Sequence, residues 1–465
     1  MSSGRKYQID MCHGPLFSKI VLFSLPLLTA NVMQVLFNAI DLAVVGRYAP
    51  HEAMAAVGSC GALCSMLLSI FLGLSVGANV LTARYIGARS RHEVFRTVHT
   101  TMATAFFGGI VLAVIGILIS RPILVLMQTP ETVLPKSSLY MRLYSAAIPF
   151  ILIYNFGSSI LRAAGDTRRP MVFMIVSGFV KVCLNLFLVI VVHLDVAGVA
   201  VATLIANIVS SALVLRALTG QRDSTRVFLN KLRLFGSNFK DILKIGIPAG
   251  VQGALFGLSN VLIQSTVNSF GSKAMAGNGA TISLEAIVYV AFISYYFAVI
   301  SFVGQNHGAK KYKRIVKSIF YCLGLTALSA ILFGWTILLN GPLLLSMYNP
   351  DPEVIRWGMI RLKYLVSVYF LCALMETLNG ALRGLGHSLT PMIVTLLGAC
   401  VFRVIWVLWV FPHFRTMENL LLSYSVSWIM ICTVNGIILY FICRKLFRDA
   451  AHQHRHPAYG QIKIH

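Results

Sequence analysis

A chain of 465 residues that is 57% hydrophobic and 12% charged, with a mean hydropathy of +0.78, is too poor in charge to cover a water-facing surface. Soluble domains carry about 25% charged residues, so the composition excludes a soluble globular protein and predicts a chain solvated by lipid. The formal net charge of +24 would suggest nucleic-acid binding in a soluble protein. The loops described below account for that charge, and no nucleic-acid partner is expected.

Apolar segments long enough to cross about 30 Å of hydrocarbon recur along the whole chain, separated by breaks that contain charged residues, proline or glycine. They predict an all-α membrane protein with 12 transmembrane helices. The predicted spans of the first half are 20–46, 53–81, 98–119, 139–160, 171–193 and 196–218. Those of the second half are 245–268, 277–303, 318–339, 358–381, 391–411 and 418–442.

Basic residues predict the orientation of these spans. They are concentrated in the two tails, in the loops after even-numbered spans and in the linker between the halves. The opposite loops hold fewer, Arg361 among them, so the positive-inside rule places both termini in the cytoplasm. The predicted parts are an N-terminal tail (1–19), a first lobe (20–218), a polar linker (219–244), a second lobe (245–442) and a C-terminal tail (443–465).

A short motif occurs twice in the chain. LRAAGDTRRPM at 161–171 returns as LRGLGHSLTPM at 382–392, a shift of about 221 residues. The same shift carries GAR at 87–89 onto GAK at 308–310. Matches at nearly one shift over so much of the chain indicate a duplicated module. In an apolar chain, two six-helix halves related by a parallel repeat predict a transporter whose binding site lies between the halves.

The first span carries a polar stripe. Asn31, Gln34, Asn38 and Asp41 are spaced three, four and three residues apart, so they share one face of a helix. Such a stripe cannot face lipid and is expected to line a cavity or a packed polar interior. Because an ionisable residue inside a span is a functional candidate, Asp41 is predicted to exchange a small cation and an organic cation at one place. The alternative is that Asp41 lies near the outer mouth and only binds a neighbouring side chain.

Other spans also contain ionisable residues. Glu285 and Glu376 are expected either to bind a cation or to neutralise the bases Lys181 and Arg403. Those two bases occupy nearly equivalent positions in the repeat, and structural anchoring is the expected role of both.

Uncharged residues complete the candidate set. Asn260 and Gln264 give the seventh span a polar face without an acid. Tyr289, in the eighth span, is a candidate for cation–π contact with a flat cationic ligand, although core or lipid-facing packing is the more usual role of such a residue.

Together these features resemble the multidrug and toxic compound extrusion (MATE) family, in particular its bacterial DinF-like and MepA-like members. The resemblance covers residues 15–445 and includes the repeated motif that ends each fourth span, DLAVVGR at 41–47 and GQNHGA at 304–309. His387 departs from it, at a position where the family has Asp or Asn. The resemblance implies a V-shaped pair of lobes that works as a monomer in the bacterial cytoplasmic membrane and alternates between inward-open and outward-open forms.

The resemblance also implies a cation site in the first lobe. Related transporters use an aspartate on the first helix, an asparagine and a second aspartate on the fifth, and a threonine on the sixth. Asp41, Asn185 and Thr203 match three of these and are the candidate Na⁺ ligands, whereas the second aspartate falls on Val189. That departure removes one charge, so either Asp41 carries a proton or coupling has moved toward Glu285. No cofactor is expected beyond the coupling ion, H⁺ or Na⁺.

The function implied by the resemblance is a secondary antiporter, not an enzyme. It would export cationic and amphipathic organic compounds across the lipid bilayer in exchange for H⁺ or Na⁺. A flippase of a lipid-linked saccharide, from the same superfamily, is the first alternative and would favour a more basic central cavity and extra spans. A membrane enzyme would need a motif such as DDxxD or HExxH, which the sequence lacks, and a receptor would not need a parallel duplication.

Overall fold

The computed structural model describes residues 7–48, 51–127 and 129–455. The outer ends of both predicted tails, 1–6 and 456–465, lie outside these ranges. Within the described ranges every regular element is helical, and 12 helical stretches are long and apolar enough to cross a membrane. The predicted all-α class and its 12 spans are therefore confirmed.

The helices of the first half extend beyond the predicted spans at most ends. They are α1 (Leu16–Tyr48), α2 (His51–Gly87), α3 (Arg91–Leu126), α4 (Leu134–Ala163), α5 (Arg168–Leu186) and α6 (Asp195–Thr219). A π-helical turn at Phe187–Val191 continues α5 to the end of its span.

The second half contains more interruptions. Its helices are α7 (Gly236–Asn268), α8 (Ser272–Gly308), α9 (Tyr312–Leu339), α10 (Gly341–Ser346), α11 (Pro352–Leu365), α12 (Tyr369–Gly384), α13 (Leu389–Thr395), α14 (Phe402–Ile405) and α15 (Met417–Arg455). The tenth span consists of α11 and α12 around a 3₁₀ turn at Val366–Val368. The eleventh consists of α13 and α14 with π-helical turns at Leu396–Val401 and Trp406–Val410.

The chain forms two compact units. The first contains Val21–Gly257, and the second contains Leu258 onward together with Met11–Ile20. This division falls inside α7, which begins at Gly236, so the last part of the predicted 219–244 linker is helical. The predicted lobe boundaries stay predictions.

The repeated motif forms the same turn in each unit. Gly165 and Gly386 have φ values of +92° and +90°, the left-handed region that glycine enters without strain. The next residues donate backbone N–H groups across the turn: Asp166 to the Leu161 carbonyl and His387 to the Leu382 carbonyl, both at 2.9 Å. The duplication seen in the sequence is thus a duplication of local structure.

The two copies differ in the side chain that follows this glycine. Asp166 accepts a hydrogen bond from the Arg169 backbone at 3.1 Å and forms an ion pair with its guanidinium. Burial raises the pKa of the Asp166 carboxyl, and the Arg169 charge opposes that shift. The second copy has His387 at this place, so it cannot form the same ion pair.

In the first unit, α2 and α7 pack through glycines spaced four apart, Gly73 and Gly77 on α2 and Gly246 and Gly250 on α7. A Cβ at Gly73 would meet the backbone of Gly250 and lie 2.5 Å from the Gly246 carbonyl oxygen. Without a hydrophobic driving force between helices in lipid, small residues let the backbones approach and gain dispersion energy.

This packing predicts the effect of a single substitution. Gly73→Val is expected to force α2 and α7 apart and to destabilise the folded protein by about 1–3 kcal/mol or more. The matched control is Gly253→Ala on α7, where a Cβ would have nothing within 4 Å. Thermal unfolding in detergent measures both, and an unchanged midpoint for Gly73→Val would contradict the packing described.

Candidate cation-coupling site

Asp41 is buried near the end of α1 and is held by two residues of α5. Its Oδ1 accepts a hydrogen bond from Asn185 Nδ2 at 2.9 Å. Its Oδ2 forms an ion pair with Lys181 Nζ. The side chains of Asp41 and Lys181 are 12% and 20% exposed. Lys181 therefore pairs with Asp41, and not with either of the glutamates that the sequence analysis considered for it.

A close contact between α1 and α5 positions this group. A Cβ at Gly178 would collide with the ring of Phe37. Phe37 precedes Asp41 by four residues, and Gly178 precedes Lys181 by three, so the contact lies about one helical turn from the ion pair. The missing side chain at Gly178 lets α5 come near enough for Lys181 and Asn185 to reach Asp41.

A buried and largely apolar cluster includes residues of α1 and of the π-helical turn that continues α5. Val189 is 2% exposed and belongs to a buried cluster that includes Val44, Cys64 and Tyr140. The position at which the resemblance implies a second aspartate is thus part of an apolar core. It supplies no oxygen to a cation.

Thr203 is buried on α6, and its backbone carbonyl accepts a hydrogen bond from Asn207 Nδ2 at 2.8 Å. Among the contacts of the described residues, none joins Thr203 to Asp41 or Asn185. The structure brings Asp41 and Asn185 together as predicted ligands and leaves Thr203 outside their hydrogen-bonded group.

The residues around Asp41 do not fit a Na⁺ ion as they are arranged. Hard cations take several oxygen ligands, but both carboxylate oxygens of Asp41 already accept from nitrogen donors. Asn185 presents its Nδ2 to Asp41, and within the described part of the chain no donor reaches its buried Oδ1. The place that a cation would take is filled by the Lys181 ammonium.

The rest of the predicted stripe on α1 is more exposed. Gln34 and Asn38 are both exposed on the surface of the first unit, whereas Asp41 is buried. The stripe therefore runs from a surface-facing part of α1 to a buried end. Its part in substrate binding stays a prediction.

In the second unit Glu285 forms a bidentate ion pair with Arg361. Arg361 Nε and Nη2 donate to Glu285 Oε1 and Oε2 at 2.8 and 2.9 Å, and Nη1 donates to Asn278 Oδ1 at 2.8 Å. Arg361 is 5% exposed. Its assignment to an outer loop is wrong, because α11 carries it into the unit, and the base that neutralises Glu285 is neither Lys181 nor Arg403.

A second pair of glycines explains how α11 reaches α8. A Cβ at Gly277 would lie 2.5 Å from the Val354 carbonyl oxygen and 2.7 Å from the Gly358 nitrogen. Gly277 directly precedes Asn278, and Gly358 precedes Arg361 by three residues. The close backbone contact therefore places the guanidinium at the face of α8 that carries Asn278 and Glu285.

The polar face of α7 joins this network. Asn278 Nδ2 donates to Gln264 Oε1 at 2.7 Å, and Gln264 Nε2 donates to Asn268 Oδ1 at 3.0 Å. Gln264 is thereby connected through Asn278 to the Arg361–Glu285 pair. This chain of hydrogen bonds engages Gln264, one of the two polar residues predicted on the seventh span.

Arg403 lies in a separate buried group. It is 0% exposed, and its guanidinium carbon is 4.0 Å from the ring centroid of Tyr424. Its Nε and Nη2 donate to Ser427 Oγ at 3.2 and 3.1 Å, and its Nη1 donates to Asn260 Oδ1 at 3.4 Å. Asn260 also accepts from the Tyr424 hydroxyl at 3.4 Å. These contacts connect α7, α14 and α15.

The two remaining candidates, Glu376 and Tyr289, lie on other helices of the second unit. Glu376 lies on α12, one turn before Asn379, whose Oδ1 accepts from Asn435 Nδ2 at 2.9 Å. Tyr289 on α8 packs edge to face against Phe292, with ring centroids 5.0 Å apart. The structure brings neither of them to Asp41.

Three residues that shape these sites were not predicted from the sequence as site residues: Gly178, Asn278 and Arg361. The repeat contained a signal for Arg361. A shift of about 221 residues carries Tyr140 onto Arg361 and Cys64 onto Glu285. An acid such as Glu285 in an apolar span needs a partner. A base such as Arg361, at a position where the other copy has no charge, was therefore a candidate for that partner.

Known proteins resemble both halves of the chain. The MatE family model matches residues 26–187 and again residues 248–409. The probable multidrug resistance protein YoeA of Bacillus subtilis is 29% identical over 407 residues, covering 86% of this chain and 88% of that protein. The multidrug export protein MepA of Staphylococcus aureus is 21% identical over 402 residues, covering 85% of this chain and 88% of MepA.

Solved structures share the fold. The MATE transporter VcmN of Vibrio cholerae matches with a TM-score of 0.86 at 20% identity, covering 92% of this chain and 97% of VcmN. The two ranges matched by the family model are offset by nearly the same shift as the repeated motif. With a match in each half and 12 membrane-spanning stretches, the chain belongs to the MATE family of multi-pass membrane transporters.

Proposed function

We propose that this protein is a secondary active antiporter that exports cationic and amphipathic organic compounds in exchange for H⁺ or Na⁺ by alternating access. The observation that carries the proposal is the buried carboxylate of Asp41, which is paired with an amine on a neighbouring helix. In a low-dielectric interior a carboxylate attracts any cation that reaches it. A coupling ion and an organic cation that compete for one carboxylate are coupled by that competition.

Asp41 is better suited to this exchange than Glu285. The partner of Asp41 is a lysine, whose flexible side chain is 20% exposed and can move away when the carboxylate takes up a proton or contacts an organic cation. Both oxygens of Glu285 accept from the fixed fork of a buried arginine, which does not deprotonate in proteins. The exchangeable carboxylate is therefore in the first unit, and Arg361–Glu285 serves the structure of the second.

The names of the relatives support the substrate class. YoeA and MepA are described as multidrug resistance and multidrug export proteins. Bacterial relatives support a place in the cytoplasmic membrane, and the distribution of basic residues supports cytoplasmic termini. The partners of the protein would be small organic cations and the lipid bilayer, with the monomer as the working unit and without enzymatic activity.

Reconstituted protein tests this function. In proteoliposomes, an imposed cation gradient is expected to drive transport of an ethidium-like dye against its own gradient, and an ionophore that dissipates the cation gradient should stop it. Protein-free liposomes are the control. Dye movement that ignores the cation gradient would contradict coupling, and movement of a lipid-linked saccharide without dye transport would favour the flippase alternative.

A further inference from the structure

We propose that Lys181 is a resident counter-ion that takes the place of Na⁺ beside Asp41, so that Na⁺ does not bind there and H⁺ is left as the coupling ion. The inference rests on the proposed function for the role of Asp41 in transport. The exclusion of Na⁺ is a separate claim about binding, and it can be measured without transport.

The place beside Asp41 that a Na⁺ ion would take is already occupied by nitrogen donors. The Lys181 ammonium pairs with Oδ2 of Asp41, and the Asn185 amide donates to Oδ1, so both oxygens of the carboxylate are engaged. Lys181 carries the same single positive charge as a Na⁺ ion. A Na⁺ ion arriving at this place would have to displace the ammonium and would leave it without its carboxylate in a mostly buried position.

Lys181 is also part of the same chain as Asp41 and is held beside it. Groups held in the right orientation within one molecule act at effective concentrations far above those of solutes. The contact of Gly178 with Phe37 holds α5 against α1 within one turn of the ion pair. Na⁺ in solution therefore competes against a cation that is always present.

The residues near Asp41 also offer few oxygen ligands to a Na⁺ ion. Val189 lies in an apolar cluster, and the Thr203 hydroxyl is not joined to Asp41 by any contact among the described residues. As the side chains are arranged, a Na⁺ ion that displaced Lys181 would meet the Asp41 carboxylate and the Nδ2 side of the Asn185 amide, which offers it no oxygen. Its lost hydration would not be replaced, which weakens binding further.

The side chain of Asn185 holds a further oxygen near Asp41. Asn185 Oδ1 is buried, and no donor among the described residues reaches it. Rotation of this amide would present Oδ1 beside the Asp41 carboxylate. Replacing the ammonium by an apolar group of similar length would leave these oxygens for a cation, so Lys181→Met is expected to create Na⁺ binding.

Thermal unfolding of purified full-length protein, in NaCl and in choline chloride at equal ionic strength, tests the inference. The wild type is expected to unfold at the same temperature in both salts. Lys181→Met should show a saturable rise of about 2 °C or more with Na⁺, since a ligand that binds only the folded state stabilises it. The rise should disappear in the double variant Asp41→Asn/Lys181→Met.

The controls separate the site from general salt effects. Lys136→Met removes a lysine of the same unit whose Nζ is 3.9 Å from an Asp195 oxygen in a partly exposed pair, and it should gain no Na⁺ response. If Lys181→Met does not fold, Lys181→Ala provides the same comparison. Saturable Na⁺ stabilisation of the wild type would overturn the inference. So would folded Lys181 variants that gain no Na⁺ response. Failure of dye transport alone would overturn the proposed function and leave the Na⁺ result intact.

Discussion

Replacement of Asp41 by asparagine is expected to reduce gradient-driven dye export to the level of protein-free liposomes. The amide keeps the shape of the side chain and removes the charge that a coupling ion and an organic cation would share. A unit-charge contact at 4 Å is worth about 4 kcal/mol at an effective dielectric constant near 20. That energy corresponds to a roughly 1000-fold weaker binding of a cation.

The matched control is another aspartate of the first unit. Asp195→Asn changes a side chain that is 39% exposed and lies at the start of α6. Because exposed ion pairs contribute at most about 1 kcal/mol, this variant should retain dye export. Gel filtration checks that both variants are folded. Export by a folded Asp41→Asn protein at the wild-type rate would remove Asp41 from the mechanism.

Loss of Arg361 is expected to have the largest effect on stability. Arg361→Leu would leave the Glu285 carboxylate buried without its bidentate partner, which costs about 3–5 kcal/mol. It would also remove the donor that Asn278 accepts from at 2.8 Å. The free energy of unfolding in detergent, or the midpoint of thermal unfolding, measures this loss.

Two further variants identify the cause. Arg356→Leu changes an exposed arginine of the same helix and should alter stability by no more than about 0.5 kcal/mol. The double variant Arg361→Leu/Glu285→Leu removes both charges and should recover most of the loss, because a buried ion pair replaced by apolar residues is often neutral. A double variant as unstable as Arg361→Leu would show that the ion pair is not the source.

Hydropathy and the repeat predicted the fold well, for a physical reason. The hydrocarbon thickness sets the length of every span, so 12 apolar runs specify 12 helices. Helix ends were less accurate because polar turns continue helices beyond the apolar part, as at Gly236 in α7. The interruptions by 3₁₀ and π-helical turns, such as Leu396–Val401, leave no mark in hydropathy.

The site was predicted only in part. Asp41 followed from the polar stripe of the first span, and Asn185 followed from the family resemblance. The pairing of Asp41 with Lys181 did not, because it depends on the rotation of α5 against α1. That rotation is set by the contact between Phe37 and Gly178, which no sequence period reveals. Arg361 was counted with the bases of the outer loops although it lies near the start of the predicted span 358–381, so its pairing with Glu285 was not expected.

The repeat also shows where the two copies differ in charge. The first unit has the Asp41–Lys181 pair, and its apolar cluster includes Cys64 and Tyr140. The second unit has Glu285 and Arg361 at the positions that correspond to Cys64 and Tyr140. The duplicated framework is kept, and each copy carries its own buried ion pair at a different place.

Separate ion gradients test the central claim most directly. Wild-type protein in proteoliposomes would be given a pH gradient at equal Na⁺ on both sides, and then a Na⁺ gradient at equal pH. If Lys181 takes the place of Na⁺ beside Asp41, dye transport is expected to be driven by the pH gradient alone. Transport driven by the Na⁺ gradient at equal pH, with or without transport driven by the pH gradient, would contradict it.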